Sequence, residues 1–470
     1  MEYQKLIKYQ RDLFVDHKAD VINQSVHREG VSGAKGVLVG QITGETNQGR
    51  AFTSELLNIV CSSQNMRRAY KQVKRNKGVA GIDEMPVGEF ADWFAKEGEQ
   101  LVSQILSGEY LPAAVKSVEI PKPNGGVRML GIPTVTDRVI QQAISQVLTP
   151  IYEQKFSDHS YGFRPQRSAS QAVSKASGFV KEGRIFVVDM DMKSFFDEVN
   201  HDRLMYQLSM DIKDKRLLRL IRKYLQSGVL QGGLSHQRIK GTPQGSPLSP
   251  LLSNIVLDEL DKELERRGHQ FVRYADDFSI FVRSQRAGER VKESISLYLT
   301  HKLKLKVNEE KSVVCKSGET KFLGFTILNN GVIVVSKTSI ERLKDKVRKL
   351  TRRNKGVKFA KVVSDLEPVL RGWLNYFKLA QCQSLLKRLD AWIRRKLRCF
   401  RLKQCKRAYT VYRYLKRLGV PKWQSWILAL SGKGWWRKSG CPQIHQAMNL
   451  QWFEDFGLYN MFNEYVLLKG

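Results

Sequence analysis

The sequence predicts an α+β protein in which a mixed strand-and-helix region is followed by a helical, strongly basic one. Three observations carry this. Apolar, strand-like runs end in acidic residues, IFVVDMD at 185–191 and FVRYADDFSIFV at 271–282. Further on, Leu366, Leu370, Trp373, Leu374 and Phe377 recur at spacings of three and four, the period of an amphipathic helix. The net charge of +33 is unevenly spread: residues 337–440 hold 30 lysines and arginines against five acidic residues, and 391–440 hold no acidic residue. A solvated helical face mixes signs. The excess therefore points to a polyanion, with nucleic acid the first candidate and an anionic membrane surface the alternative.

Taken in order, residues 1–60 form an N-terminal extension that is partly flexible. MEYQKLIKYQRDLF reads as a short helix, and 29–50 carries six glycines and reads as loop. GETNQGRA at 44–51 has the outline of a phosphate loop, but Arg50 and Ala51 stand where lysine and a hydroxyl are required, so it is rejected. Residues 61–335 mix strands and helices. Ile185–Val188 reads as a buried strand, after which Asp189 and Asp191, two apart, face one side of an extended chain. Asn200 reads as the N-cap of a helix starting near His201.

In 271–282, β-branched and aromatic residues flank Asp276 and Asp277, which places the pair at a hairpin tip. Adjacent carboxylates repel unless a cation sits between them, and oxygen-only donors point to magnesium or manganese. The plainer readings are a solvated turn for this pair and capping or solvation for Asp189, Asp191 and Asp197. A strand and a hairpin can bring three carboxylates together, the minimum for two ions roughly 3.5–4 Å apart in phosphoryl transfer. The six cysteines are scattered without a CxxC pair, which argues against structural zinc or a disulfide scaffold and fits a reducing cytoplasm. No apolar run approaches the ~18 residues that span a membrane, and the first 30 residues lack a signal-peptide core.

The two acidic segments resemble motifs A and C of reverse transcriptases, and YADD is the form common in group II intron-encoded proteins. Other segments follow in that family's order. RNKGVAGID at 75–83, IPKPNGGVRMLGIPTVTDRVIQQAI at 120–144 and HSYGFRPQRSA at 159–169 resemble its early blocks. GTPQGSPLSPLLSNIVLDELD at 241–261 resembles motif B, LKVNEEKS at 305–312 and KFLGF at 321–325 the last two, and LRGWLNYFK at 370–378 the start of the thumb. The resemblance spans roughly 60–470 and is closest to bacterial group II intron reverse transcriptase/maturases of the endonuclease-lacking type.

The resemblance implies a right-hand polymerase. Residues 61–335 would be fingers and palm with an antiparallel palm sheet, 336–410 a helical thumb or maturase domain, and 411–470 a small basic DNA-binding region. No HNH endonuclease is expected, since the last 30 residues offer only Cys441 and His445. The implied activity is RNA-directed DNA synthesis with two Mg2+ ions, or Mn2+, held by Asp191, Asp276 and Asp277. Phe196, five residues after Asp191, would be the sugar gate. Lys122 and Arg128, flanking a hairpin turn at 123–126, would contact the triphosphate; Gln244 and Gly245 would sit near the nascent pair, and Lys311 would protonate pyrophosphate. Arg164 would contact template or pack structurally. Arg371, Trp373, Arg394, Arg395, Lys396 and Arg398 are candidate nucleic-acid contacts. Implied partners are group II intron RNA or another RNA template, a DNA primer or target, and dNTPs, with no membrane and no structural zinc; the expected location is the bacterial cytoplasm, associated with nucleoid or ribonucleoprotein. The alternatives are a domesticated relative serving defence or repair, and a non-enzymatic RNA-binding splicing cofactor. Intact aspartates count against the last.

Overall fold

A computed structural model of the chain describes residues 54–469 apart from 122–126, 232–233, 237 and 355. The expectations for residues before 54, and for Lys122, lie outside the described residues. The chain divides into two compact units between Lys316 and Ser317.

In the first unit, helices α1 (Leu56–Cys61), α2 (Ser63–Arg75) and α3 (Phe90–Ser107) lead into a hairpin of β1 (Val115–Pro121) and β2 (Val127–Ile132), then α4 (Val135–Glu153) and α5 (Ala169–Lys181). β3 (Phe186–Met190), the short α6 (Phe195–Glu198), α7 (His201–Asp211), α8 (Lys215–Gln226), β4 (Val229–Gln231) and β5 (Leu234–His236) follow. The unit closes with α9 (Ser249–Arg266), β6 (Gln270–Tyr274), β7 (Asp277–Val282), α10 (Gln285–His301) and β8 (Val313–Lys316). One four-stranded sheet has the order β2-β1-β4-β5 and the other β6-β7-β3-β8. All pairings in the second are antiparallel, as expected of a palm.

That sheet is fixed by its apolar face. Val188, Phe271, Phe278 and Ile280 are fully buried, and each such side chain contributes about 1.5–3 kcal/mol by leaving water. A register slip of one residue would exchange them with the side chains of the opposite face. Helix starts match local chemistry: the Asn200 side chain accepts the Arg203 N–H at 2.9 Å, capping α7 as its sequence position predicts.

The second unit begins with a small hairpin, β9 (Phe325–Ile327) and β10 (Ile333–Val335), and is otherwise helical: α11 (Lys337–Leu350), α12 (Phe359–Phe377), α13 (Gln383–Gln404), α14 (Ala408–Arg417), α15 (Lys422–Leu430), the short α16 (Trp435–Lys438), α17 (Pro442–Ala447) and α18 (Leu450–Asp455), and α19 (Met461–Lys469). The sequence reading placed the seam at 335/336. The hairpin falls with the helices because Phe325 packs on Phe377 with ring centroids 5.0 Å apart, and the Tyr376 hydroxyl donates to the Leu323 carbonyl at 2.9 Å. The apolar stripe of α12 is buried at Leu366, Leu370, Leu374 and Phe377. α19 is anchored by Asp390, which accepts the Phe462 N–H at 2.9 Å.

Candidate active site

The sheet register places the acidic residues. β6 and β7 pair Tyr274 with Asp277, so Ala275 and Asp276 make the turn, with Ala275 in the left-handed region at φ +58°. β3 and β7 pair Met190 with Phe278. One step further along the same ladder sets Asp191 across from Asp277, so Asp191, Asp276 and Asp277 share one end of the sheet. Asp189 faces Ser279 within the ladder, and the Ser279 hydroxyl lies 3.4 Å from its carboxylate. It is thus tied into the sheet, while Asp191 stands at its end with its side chain 38% exposed.

Asp191 is held from the segment before β8. The Asn308 side-chain amide donates to its carboxylate at 2.9 Å, and the Asn308 N–H donates to its carbonyl at 2.8 Å. Its own N–H donates to the Ser312 hydroxyl at 3.1 Å, and the Lys311 ammonium lies 3.6 Å from the carboxylate. Asn308 and Ser312 were not singled out in the sequence, although both lie inside the quoted run LKVNEEKS. The signal was there as a motif, but only the fold shows that it braces the strand carrying Asp191.

The donor chemistry fits a hard divalent cation: three carboxylates, all oxygen, at one end of a sheet. Among the described residues, no three His, Cys, Asp or Glu side chains are gathered closely enough to hold a metal ion. Asp191 is instead turned to Asn308 and Lys311. What the strand register fixes is that the three residues stand at the same end of the sheet.

The loop resembling motif B closes onto two of the other elements. The Gly241 N–H donates to the Val199 carbonyl at 2.8 Å and the Thr242 N–H to the Phe196 carbonyl at 2.6 Å. A Cβ at Gly241 would meet the Phe196 and Asp197 backbone at 2.9 Å, so backbone packs on backbone here. Phe196 is half-buried, its ring edge-on to buried Phe195 at 5.3 Å. Further on, the Gly131 N–H donates to the Gln244 carbonyl at 2.8 Å. Phe196, Gln244, Gly245 and the end of β2 are thereby brought together. Arg128 lies in β2 opposite Ile120 in the expected hairpin.

Two expected nucleic-acid contacts are corrected. Arg164 is buried, and takes the packing role. Its guanidinium donates to the Glu153 carboxylate at 2.8–3.1 Å and to the carbonyls of Ser157 and Ser160 at 2.5 and 2.8 Å. Removing one partner of such a set strands the others. Arg164→Ala is expected to lower stability by about 3 kcal/mol with RNA affinity per folded molecule unchanged; thermal unfolding and filter binding check this. Arg398 is also buried. It donates to the Met448 carbonyl at 3.0 and 2.7 Å, and burial pulls its pKa down to about 10. Arg398 lies in a charge-rich run and looks solvent-facing from sequence, but it sits on the inward face of α13.

The other basic candidates face outward to differing degrees. Arg371 is exposed, pairs with Glu367 at 3.0 Å and lies over the Tyr459 ring at 4.5 Å. Arg394, Arg395 and Lys396 are half-buried; Arg395 and Lys396 stack over Trp436 at 4.2 and 5.2 Å. Trp373 packs on Phe377 at 4.8 Å. Of the basic region's tryptophans, Trp423 and Trp436 are the exposed ones, whereas Trp426 stacks on Tyr412 at 4.2 Å. The six cysteines are free thiols. Among the described residues no helix is long and apolar enough to cross a membrane.

Comparison with known proteins gives the family. Residues 120–327 match the family "Reverse transcriptase (RNA-dependent DNA polymerase)" and residues 340–419 match "Group II intron, maturase-specific domain". The group II intron-encoded protein LtrA of Lactococcus lactis subsp. cremoris is 32% identical over 328 residues, covering 55% of this chain and 54% of LtrA. The chain thus spans about half the length of that relative. Protein YkfC of Escherichia coli K12 is 32% identical over 300 residues, covering 55% of this chain and 78% of YkfC. A palm sheet with acidic residues at one end, a reverse transcriptase region and a maturase-specific region after it, and likeness over most of a relative's length make one assignment: this chain belongs to the family of group II intron reverse transcriptases and maturases.

Proposed function

We propose that the chain is an RNA-directed DNA polymerase and intron maturase that binds group II intron RNA, assists its splicing and copies RNA into cDNA. The observation that supports this most is the common placement of Asp191, Asp276 and Asp277 at one end of an antiparallel sheet. These three would hold two Mg2+ ions, with Mn2+ able to substitute. Bound metal lowers the pKa of a primer 3′-hydroxyl and neutralises charge growing on the α-phosphate.

The chain's own residues do the rest. Lys122 and Arg128 receive the triphosphate, where an arginine fork meets two oxygens at once. Gly245 lets backbone approach the nascent pair, and the Gln244 amide hydrogen-bonds near the sugar. Lys311, beside Asp191, donates a proton to leaving pyrophosphate. Phe196 presses on the sugar and excludes a 2′-hydroxyl. Phe196→Ala is accordingly expected to raise ribonucleotide incorporation by at least about tenfold, a difference of ~1.4 kcal/mol, in single-nucleotide extension assays. No gain removes the gate assignment.

The basic second unit is the RNA-binding part, with Arg371, Arg394, Arg395 and Lys396 among its contacts. RNA would be held largely through phosphate, so affinity falls steeply with salt. The test of the polymerase half is extension of a DNA primer on an RNA template by purified protein with Mg2+ and dNTPs. Full-length cDNA supports the reading; tight RNA binding without extension favours the splicing cofactor.

A further inference from the structure

We propose that Arg273 is a positioning residue for the acidic turn: it grips the Ala275 carbonyl from inside the core and so sets where Asp276 and Asp277 stand. The inference rests on the polymerase reading above. Arg273 is fully buried, as is its partner Asp261 on α9. Its Nε donates to the Asp261 carboxylate at 2.7 and 3.0 Å and its Nη2 at 2.5 Å. That leaves Nη1, which donates to two acceptors at 2.9 Å each, the Asn254 side-chain oxygen and the Ala275 carbonyl.

A buried guanidinium is costly unless its donors are used, and here both Nη1 hydrogens are used, one of them on the turn. Ala275 is where help is required, because a residue with a Cβ in the left-handed region is disfavoured. The surroundings leave it little room to relax. The Asn254 amide donates to the Gly162 carbonyl at 2.9 Å, and a Cβ at Gly162 would lie 2.2 Å from the Ala275 nitrogen. The Arg273 N–H and carbonyl bond the backbone of His159 and Tyr161, both at 2.9 Å. Asp261, Asn254, Arg273 and the 159–162 segment thus form one rigid seat beneath Ala275. Arg273 touches the turn at the Ala275 backbone carbonyl, so its effect on the carboxylates passes through the backbone.

Two variants separate positioning from stability. Replacing both members of the pair, Arg273→Met with Asp261→Leu, removes the charges together, which cores often tolerate, but leaves the Ala275 carbonyl without its donor. Arg273→Lys keeps a cation for Asp261, yet presents its donors from one compact ammonium instead of the planar fork that spans Asp261 on one side and Asn254 and Ala275 on the other. For each, unfolding temperature, RNA affinity, kcat and dNTP KM are measured per folded molecule. Mn2+ binding is followed by electron paramagnetic resonance, with Asp276→Asn defining the share of the signal that belongs to the site. The expectation is a loss of about 10–100-fold in kcat and in Mn2+ affinity, typical of groups that orient metal ligands, with RNA affinity and dNTP KM unchanged. A folded variant of either kind with wild-type kcat and Mn2+ affinity overturns the proposal. If the double variant does not fold, Arg273→Lys decides by the same criteria. Failure of the wild-type chain to make cDNA would instead count against the polymerase reading, and the Mn2+ measurement would still judge the turn.

Discussion

Asp276→Asn is expected to cut cDNA synthesis at least ~10³-fold, on the order of 4 kcal/mol of transition-state stabilisation, while RNA binding and folding survive. Asp276 occupies the turn between β6 and β7, half-buried, with Asp277 exposed beside it and Asp191 across the ladder. Asparagine keeps the shape and one oxygen but removes the charge that a hard cation requires. The fold does not depend on that charge, because the sheet is held by Phe271, Phe278 and Ile280 beneath it. Primer extension and filter binding on the same preparation check this. Loss of both together would mean a damaged fold, and extension within tenfold of wild type would contradict the ligand assignment.

Gly245→Ala is expected to raise the dNTP KM by about tenfold or more, ~1.4 kcal/mol, without lowering affinity for RNA. Gly245 has φ +112°, a region that residues with a Cβ rarely enter. The added Cβ would stand 2.5 Å from the Gly131 carbonyl oxygen and 3.3 Å from a Leu130 methyl. The neighbour is backbone, so the loop itself has to withdraw. It would then lose the bond between the Gly131 N–H and the Gln244 carbonyl, and with it the register between this loop and β2. Steady-state kinetics with a defined template and primer check the shift; an unchanged KM would show that this loop does not touch the nucleotide.

Much of the site was legible because its residues carry unusual chemistry at fixed spacing. Strand runs closed by Asp191 and by Asp276–Asp277 stand out in sequence, and the N-cap at Asn200 follows from side-chain chemistry alone. The bracing of Asp191 by Asn308 and Ser312 was not legible, since it joins positions more than 100 residues apart that only the β3–β8 ladder brings together. Nor was the inward turn of Arg398, whereas packing was one of the two readings of Arg164. Charge-rich segments hide the few cations that face a core, and helical period alone does not say which carbonyl waits there. The compact units divide at 316/317, ahead of the 335/336 boundary read from the sequence, because the hairpin's aromatic contacts to α12 lie some 50 residues along the chain.

We propose above that this chain acts on a group II intron RNA. This is tested most directly by crosslinking the protein in its native host and sequencing the RNA attached to it, with crosslinked peptides mapped in parallel. The account predicts one dominant, highly structured intron RNA, joined to peptides within 337–440, where the positive charge is concentrated. Diverse cellular RNAs, or a short dedicated non-coding RNA, would contradict it and give the polymerase a different biological role.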